Sequence, residues 1–390
     1  MAKHSQMPVA VFDISSSSVA GAHILIPKKD TLLHSKVSVL AHARNHAELK
    51  EDIVIERFVD QTAQELDKVA TTLRKIDHHS PAYIQILLAS PWFISQTRVI
   101  TYKRATPFVC SQKLIDSLIE KETTYIVEHD MERFGTYGKE GVIIEKQIAD
   151  IKLNGYSTAN PFGKKVESVE LFFVVTIAPK SIVDRFKEVL QRQYPHTSIG
   201  FTTSPYATYI VARDYLSAPE SLMIVDIGEE VTDVAFVKKG IFLYQHSFPV
   251  GTFELYRTLV NHNVSSVLEA EALLETYRLG KISLGEKESI QNALTAYGTT
   301  WVKAFEETLG SGHYGFALPE QSYVVGDYRF DTFFSKLINT DPLLLHAVPN
   351  QTLTTTFITA DTLKEYIAGL DNEHIDETVL LAALFTARLI

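Results

Sequence analysis

Two segments of this 390-residue chain follow one plan, and that duplication constrains the fold more than any other feature. VAVFDISSSSV (Val9–Val19) and MIVDIGEEVTDVAFV (Met223–Val237) each read as a strand, an Asp near its end, a turn of small or polar residues, and a second strand. A repeated unit of this kind predicts two similar half-domains facing each other across a cleft. Two opposed β-turns are able to clamp a polyphosphate with backbone N–H groups, while Asp13 and Asp226 hold a cation. The plainer alternative is that both aspartates cap turns after strands, and that Ser15, Ser16 and Ser17 form a polar turn.

The rest of the chain is organised around these copies. Strand patterns cover Pro8–Ser15, Val19–Pro27 and Ser35–Ala43, followed by a helix with Ile55, Phe58, Val59, Leu66, Val69 and Leu73 at helical spacing. Strand patterns then recur at Tyr83–Ser90, Trp92–Arg104, Gly141–Leu153 and Ser168–Ala178. Helices are expected near Ser111–Ile126 and through Ile182, Val183, Phe186, Val189 and Leu190. The third block opens with the second copy. Lys239-Gly240 reads as its hairpin turn, Ser266 and Glu269 as a capping box, Gln321–Asp327 as a short buried strand, and the stretch from about Glu377 as a closing helix.

Composition removes several function classes. Lys and Arg total 37 against 47 Asp and Glu, a net charge of −10, so a nucleic-acid partner is not expected. A single cysteine, Cys110, excludes an internal disulfide and a Cys-rich zinc site, and it reads as a packed thiol. The His78-His79 pair reads as a solvated helix end, and the Lys28-Lys29 and Lys238-Lys239 pairs as solvated hairpin tips. No apolar stretch precedes Val9, so no signal peptide is expected, and the longest apolar runs are too short to span a bilayer.

The motifs resemble the actin-like ATPase superfamily. VFDISSSSV (Val11–Val19) is similar to its first phosphate loop, DIGEEVTDVAFVKKG (Asp226–Gly240) to its second, and VVGD (Val324–Asp327) to its adenosine loop. Within that group the chain resembles FtsA, the bacterial cell-division homologue, with PilM of type IV pilus assembly second. The resemblance rests on the insert segment LNGYSTANPFGKKVESVELFF (Leu153–Phe173), on SPYATYIVARDYL (Ser204–Leu216) as the connecting helix, and on HSFPVG (His246–Gly251).

This resemblance implies an α/β fold of duplicated, ribonuclease H-like domains around a nucleotide cleft, with an α+β insert. The first half would be residues 1–80, completed by 201–220 and the terminal helix 377–390. The insert would be 81–200, and the second half 221–376 with a helical subdomain at about 252–320. ATP and Mg are the implied cofactors. The implied nucleotide residues are Asp13, Ser15, Ser16, Ser17, Asp226, Gly228, Thr232, Asp233, Glu271 and Gly326, with Asp13 and Asp226 reaching Mg through water. Implied partners are the tubulin-like FtsZ or the tail of a pilus membrane protein, with self-association. The implied location is the cytoplasm, with recruitment to the inner membrane face by a partner. FtsA-like chains end in a basic amphipathic helix, whereas this one ends at Ala387–Ile390 with one Arg in its last thirteen residues, so direct membrane anchoring is not expected.

The phosphate motifs depart from the pattern. Ser15 stands where the family has a Gly, which hinders close approach to a phosphate. Glu229 and Glu230 follow Gly228 where small residues are usual. A carboxylate about 4 Å from a phosphate charge costs about 1 kcal/mol in water and about 4 kcal/mol at an effective dielectric of 20. Asp327 and Tyr328 follow Gly326, Ser204-Pro205 replaces the usual water-orienting acid, and Leu274 occupies the place of a nucleotide-reaching Lys after Ala270-Glu271. Together these predict weak or absent hydrolysis, a pseudo-ATPase scaffold. The opposing reading has both glutamates in solvent and ATP held by Asp13, Asp226, Thr232 and backbone amides. A small-molecule kinase of the same fold needs a catalytic base and a better cradle, and neither is visible.

Overall fold

The two copies of the repeated unit open two sheets of the same topology. In this computed structural model the described residues are 6–27, 36–46, 55–260, 266–311, 318–340, 345, 353–369 and 375–390; the Lys28-Lys29 pair lies outside them. In the first sheet β1 (Met7–Ile14) is antiparallel to β2 (Ser18–Ile26), which pairs with β3 (Val37–His46). β1 is also parallel to β4 (Tyr83–Leu88), and β4 to β9 (Ser198–Thr203). The second sheet repeats this order. β10 (Leu222–Ile227) lies between antiparallel β11 (Thr232–Lys238) and parallel β13 (Gln321–Gly326), with β12 (Ile241–Phe248) and β14 (Thr354–Phe357) at the edges. β15 (Ile367–Ala368) extends the first sheet beside β3. At the β11–β12 turn Lys239 and Gly240 have φ of 53° and 75°, the left-handed pair that matches strand twist in a two-residue hairpin.

β1 and β10 are nearly continuous apolar runs because helices cover both faces of each sheet. Helices α4 (Ser204–Tyr215) and α10 (Glu377–Leu389) pack between the halves. One core joins Val9 and Val11 to Leu222, Ile224 and Ala235 through Ala207, Val211, Leu380 and Leu384. α10 is apolar all round, TVLLAALF, as a helix buried on every side must be. On the outer face of the first sheet, α1 (Ile55–Ile76) and α3 (Lys180–Gln193) present Leu66, Val69, Phe186 and Leu190 to the core. The second sheet is covered by α5 (Thr252–Val260), α6 (Val267–Arg278), α7 (Leu284–Ser311) and α8 (Asp331–Thr340). There Trp301 stacks on Phe305 at 4.9 Å and meets Phe248 edge-on at 5.7 Å. The Ser266 hydroxyl accepts the Glu269 N–H at 3.2 Å, which starts α6. The short α9 (Ala360–Leu363) precedes β15.

Between β4 and β9 the chain builds a separate sheet of order β5-β8-β6-β7: β5 (Ile94–Val109), β6 (Gly141–Leu153), β7 (Tyr156–Ser157) and β8 (Lys165–Pro179). α2 (Gln112–Asp130) covers it, started by Ser111, whose hydroxyl accepts the Leu114 N–H at 3.2 Å. The expected insert of 81–200 takes in Tyr83–Ser90 and the helix at Ile182–Leu190. The strand Tyr83–Leu88 pairs with β1, and that helix packs on α1. β5 begins at Ile94 rather than at Trp92. The Trp92 ring is taken into the core, stacked on Phe58 at 4.7 Å, and its Nε1 donates to the Ser15 carbonyl at 2.8 Å. The insert is hooked to the start of α4 by Glu145, whose Oε1 accepts from the Thr203 N–H at 2.7 Å and the Thr202 hydroxyl at 2.5 Å.

Candidate nucleotide site

Each half of the cleft ends in a turn shaped by its own sequence. In the first, the Ser15 N–H donates to the Ser18 carbonyl at 3.0 Å, and the Ser18 N–H returns to Ser15 Oγ at 3.2 Å. In the second, the Gly228 N–H donates to the Val231 carbonyl at 3.0 Å. A Cβ on Gly228 would lie 2.9 Å from that carbonyl oxygen, so the turn requires glycine. The second turn rests on the start of α5. There the Thr252 and Phe253 N–H groups donate to the carbonyls of Gly228 at 3.0 Å and Glu229 at 2.8 Å. A Cβ on Gly251 would sit 2.3 Å from the Glu229 oxygen.

The two turns touch. Ser15 Oγ donates to Glu229 Oε2 at 2.8 Å and Ser18 Oγ donates to Oε1 at 2.7 Å. Arg44, on β3, donates from Nη1 to Ser18 Oγ at 2.9 Å and to Glu229 Oε1 at 3.3 Å. Its Nε pairs with Asp376 at 2.7 Å. The neighbouring Glu230 goes the other way. Its N–H donates to Ser16 Oγ at 3.1 Å, while its carboxylate turns outward to Arg257 on α5. Burial pulls the Glu229 carboxyl upward, but Arg44 and the two serine hydroxyls outweigh it and hold the group below the usual glutamate range. A carboxylate this enclosed is tolerable only because it is paired and hydrogen-bonded.

The remaining carboxylates of the cleft behave differently. Burial pushes Asp13 up to about 6, partly countered by Arg44, and Ser204 Oγ donates to it at 3.1 Å. Asp226 is raised well above the ordinary range, first by burial and then by Asp233, Asp13 and Glu229. Asp226 and Asp233 are register partners on β10 and β11 and share a face. Asp233 also rises to about 6 through burial, opposed by its bonds from Ser90. The structure thus brings Asp13, Asp226, Asp233, Ser15 and Ser16 to one seam.

Other residues implied by the sequence are engaged elsewhere. The Thr232 hydroxyl is fully buried, donating to the Val250 carbonyl at 2.7 Å and accepting from Trp301 Nε1 at 3.2 Å. Ser17 Oγ is buried with no hydrogen-bond partner among the described residues. Glu271 is 2.9 Å from Arg329, which also grips Asp327. Gly326 serves strand pairing, since a Cβ there would sit 2.9 Å from the Ile227 carbonyl oxygen. Leu274 faces the core. Arg44, Ser90, Asp376 and Arg329 carried no signal in the sequence. Gly251 carried one, a glycine closing the HSFPVG strand end.

Beside the seam, a cavity of about 520 Å3 opens between β5 and β12, lined by Ser90, Phe93, Arg133, Asp233, Gln245 and His246 among others. The Gln245 amide is buried next to Asp233 and helps to hold that carboxyl down against burial.

No family model matches the sequence, and no curated protein matches it. A solved PilM–PilN type IV pilus biogenesis complex superposes over 98% of this chain and 98% of that one, with a TM-score of 0.61 and 15% identity. The chain has the actin-like ATPase fold. Ethanolamine utilization protein EutJ from Carboxydothermus hydrogenoformans matches with 12% identity and a TM-score of 0.45, covering 97% of this chain and 88% of its own. MreB 5 of Spiroplasma citri bound to AMPPNP matches with 10% identity and a TM-score of 0.42, covering 92% of this chain and 93% of its own.

Proteins of the actin-like ATPase fold typically bind a nucleotide with a divalent metal. The residues present here do not fit a polyphosphate, because the Glu229 carboxylate already takes the first-turn hydroxyls and Arg44. Among the described residues no group of three or more His, Cys, Asp or Glu side chains is arranged to hold a metal ion. None of the described helices is long and apolar enough to cross a membrane.

Proposed function

We propose that this chain is a non-catalytic adaptor of the actin-like fold that works by gripping a protein partner, with its nucleotide cleft sealed. One observation carries the reading: Glu229 of the second turn sits among the first-turn serines, where a phosphate would have to lie. Hydrolysis needs an approachable cradle and a group poised on the attacking water. Ser204, at the start of α4, is bonded to Asp13, and Pro205 follows it.

For the partner, a PilM-like role is favoured over the FtsA-like one. The full-length likeness to PilM in complex with PilN, insert included, supports it. So does a polar cavity beside the insert, lined by Ser90, Arg133 and the Gln245 amide, groups able to pair with a peptide backbone. The occupant would be a short cytoplasmic tail of a membrane protein, which would recruit the chain to the inner membrane face. A division role with FtsZ, and self-association, have only the shared fold in their favour.

Isothermal titration with Mg-ATP tests the sealed cleft: no saturable binding and no phosphate release are expected, and tight binding with turnover sinks the reading. Titration with the tail peptides of pilus membrane proteins and with the FtsZ C-terminal peptide from the same genome separates the partners.

A further inference from the structure

We propose that Glu229 is a built-in substitute for a nucleotide phosphate, holding the two halves closed in the absence of any ligand, and that Ser15, Ser18 and Arg44 form the oxyanion site it fills. The inference rests on the sealed-cleft reading and adds a role for the seal.

A bridging phosphate in a two-turn cleft does one mechanical thing: it accepts hydrogen bonds from both sides at once. Glu229 does the same from within. It is covalently part of the second turn, and both of its oxygens accept from the first, at 2.8 Å and 2.7 Å. Bonds of a hydroxyl or guanidinium to an ionised acceptor are the strong class. The carboxylate is 13% exposed and stays ionised because Arg44 lies against it. A planar carboxylate with two accepting oxygens presents the chemistry of a phosphate edge.

Arg44 extends the closure to a third element. One arm reaches Glu229 and Ser18. Nε pairs with Asp376, and Nη2 donates to Thr378 Oγ1 at 3.3 Å, both at the start of α10. Asp376 caps that helix by accepting the Thr378 N–H at 2.9 Å. Burial opposes the charge on Arg44, but Asp376, Glu229 and Asp13 more than restore it, so the guanidinium is permanently cationic. The two successive glutamates divide the work. Glu229 enters the seam, and Glu230 is held out of it by Arg257.

Removing the Glu229 side chain leaves two hydroxyls and a cation facing a vacated anion position. Such a site takes a small oxyanion, and inorganic phosphate is the probe. The experiment compares the full-length wild type with E229A and E229Q by hydrogen–deuterium exchange over residues 11–19 and 224–232, with and without phosphate. The nucleotide-free wild type should protect both turns, with no change on adding phosphate. In both variants the two turns should exchange about tenfold faster or more, as expected for lost charge-assisted bonds. In E229A phosphate should restore protection and show saturable binding that R44M abolishes. Wild-type protection in both variants, or phosphate binding to the wild type as tight as to E229A, overturns the proposal. If E229A does not fold, E229Q alone decides, because it keeps the shape and removes the charge. The Mg-ATP titration of the wild type is read separately. Nucleotide binding there ends the sealed-cleft reading, whereas the closure role stands or falls on the ligand-free exchange.

Discussion

Asp233 on β11 accepts both polar hydrogens that Ser90 offers, the backbone N–H at 3.1 Å and the hydroxyl at 2.6 Å. Ser90 lies two residues past the end of β4 in the first half, and Asp233 belongs to the second, so this pair fastens the halves where the insert departs. Asp233→Ala leaves two buried donors without an acceptor. The expected loss is about 2–3 kcal/mol in chemical denaturation, with Asp233→Asn losing less. An alanine variant as stable as the wild type would show that the pair does not fasten the halves.

Asp13 gives a pH signature of known sign. Burial raises its pKa from 3.8 to about 6. The folded state therefore binds the proton more tightly than the unfolded chain, and this group's contribution to stability falls as pH rises through that window and stays low above it. Asp13→Asn cannot ionise, so it should be more stable than the wild type by about 1–3 kcal/mol near neutral pH and above, with the gain gone at about pH 3. Thermal unfolding at both ends checks this, and a gain independent of pH would assign the effect to something other than the proton.

Gly251 is where α5 approaches the second turn. An added Cβ would meet the Glu229 oxygen at 2.3 Å, its carbonyl carbon at 2.4 Å and the Gly228 oxygen at 2.5 Å, all backbone atoms that cannot rotate away. Gly251→Ala should cost about 1–3 kcal/mol or more and loosen the Glu229 contacts with Ser15 and Ser18. The same substitution at Gly285, beside whose Cβ nothing lies within 4 Å and whose backbone, like that of Gly251, is not left-handed, is the control without a clash.

Glu145 ties the insert to the start of α4. Its carboxylate accepts from the Thr203 N–H and from the Thr202 and Thr203 hydroxyls. Glu145→Ala should destabilise by about 2–3 kcal/mol and speed amide exchange at Thr202 and Thr203, with the buried strands of the second sheet unaffected. Unchanged exchange there would mean that the insert is held by its apolar contacts instead.

Much of the architecture was legible because it is written locally. Strand–Asp–turn–strand, twice, gives two sheets of the same order, since the antiparallel pairs follow from short turns and the parallel additions from the crossovers between them. Lys239-Gly240 announced its hairpin through the one residue type that accepts a left-handed backbone freely. The apolar periodicity at Leu66 and Val69, and the unbroken apolar run of α10, indicated one buried face and complete burial respectively.

What the tertiary structure alone decided is where the polar side chains go. Glu229 and Glu230 are neighbours of identical chemistry, yet one enters the seam and the other pairs outside it. Thr232 and Asp233 are likewise adjacent, one spent in the core on Val250 and Trp301, the other on Ser90. Backbone sterics and apolar period act within a few residues and leave a readable pattern in the sequence. The partner of a buried charge is instead whatever the fold brings within about 3 Å, and for Glu229 that is a serine turn more than two hundred residues earlier in the chain.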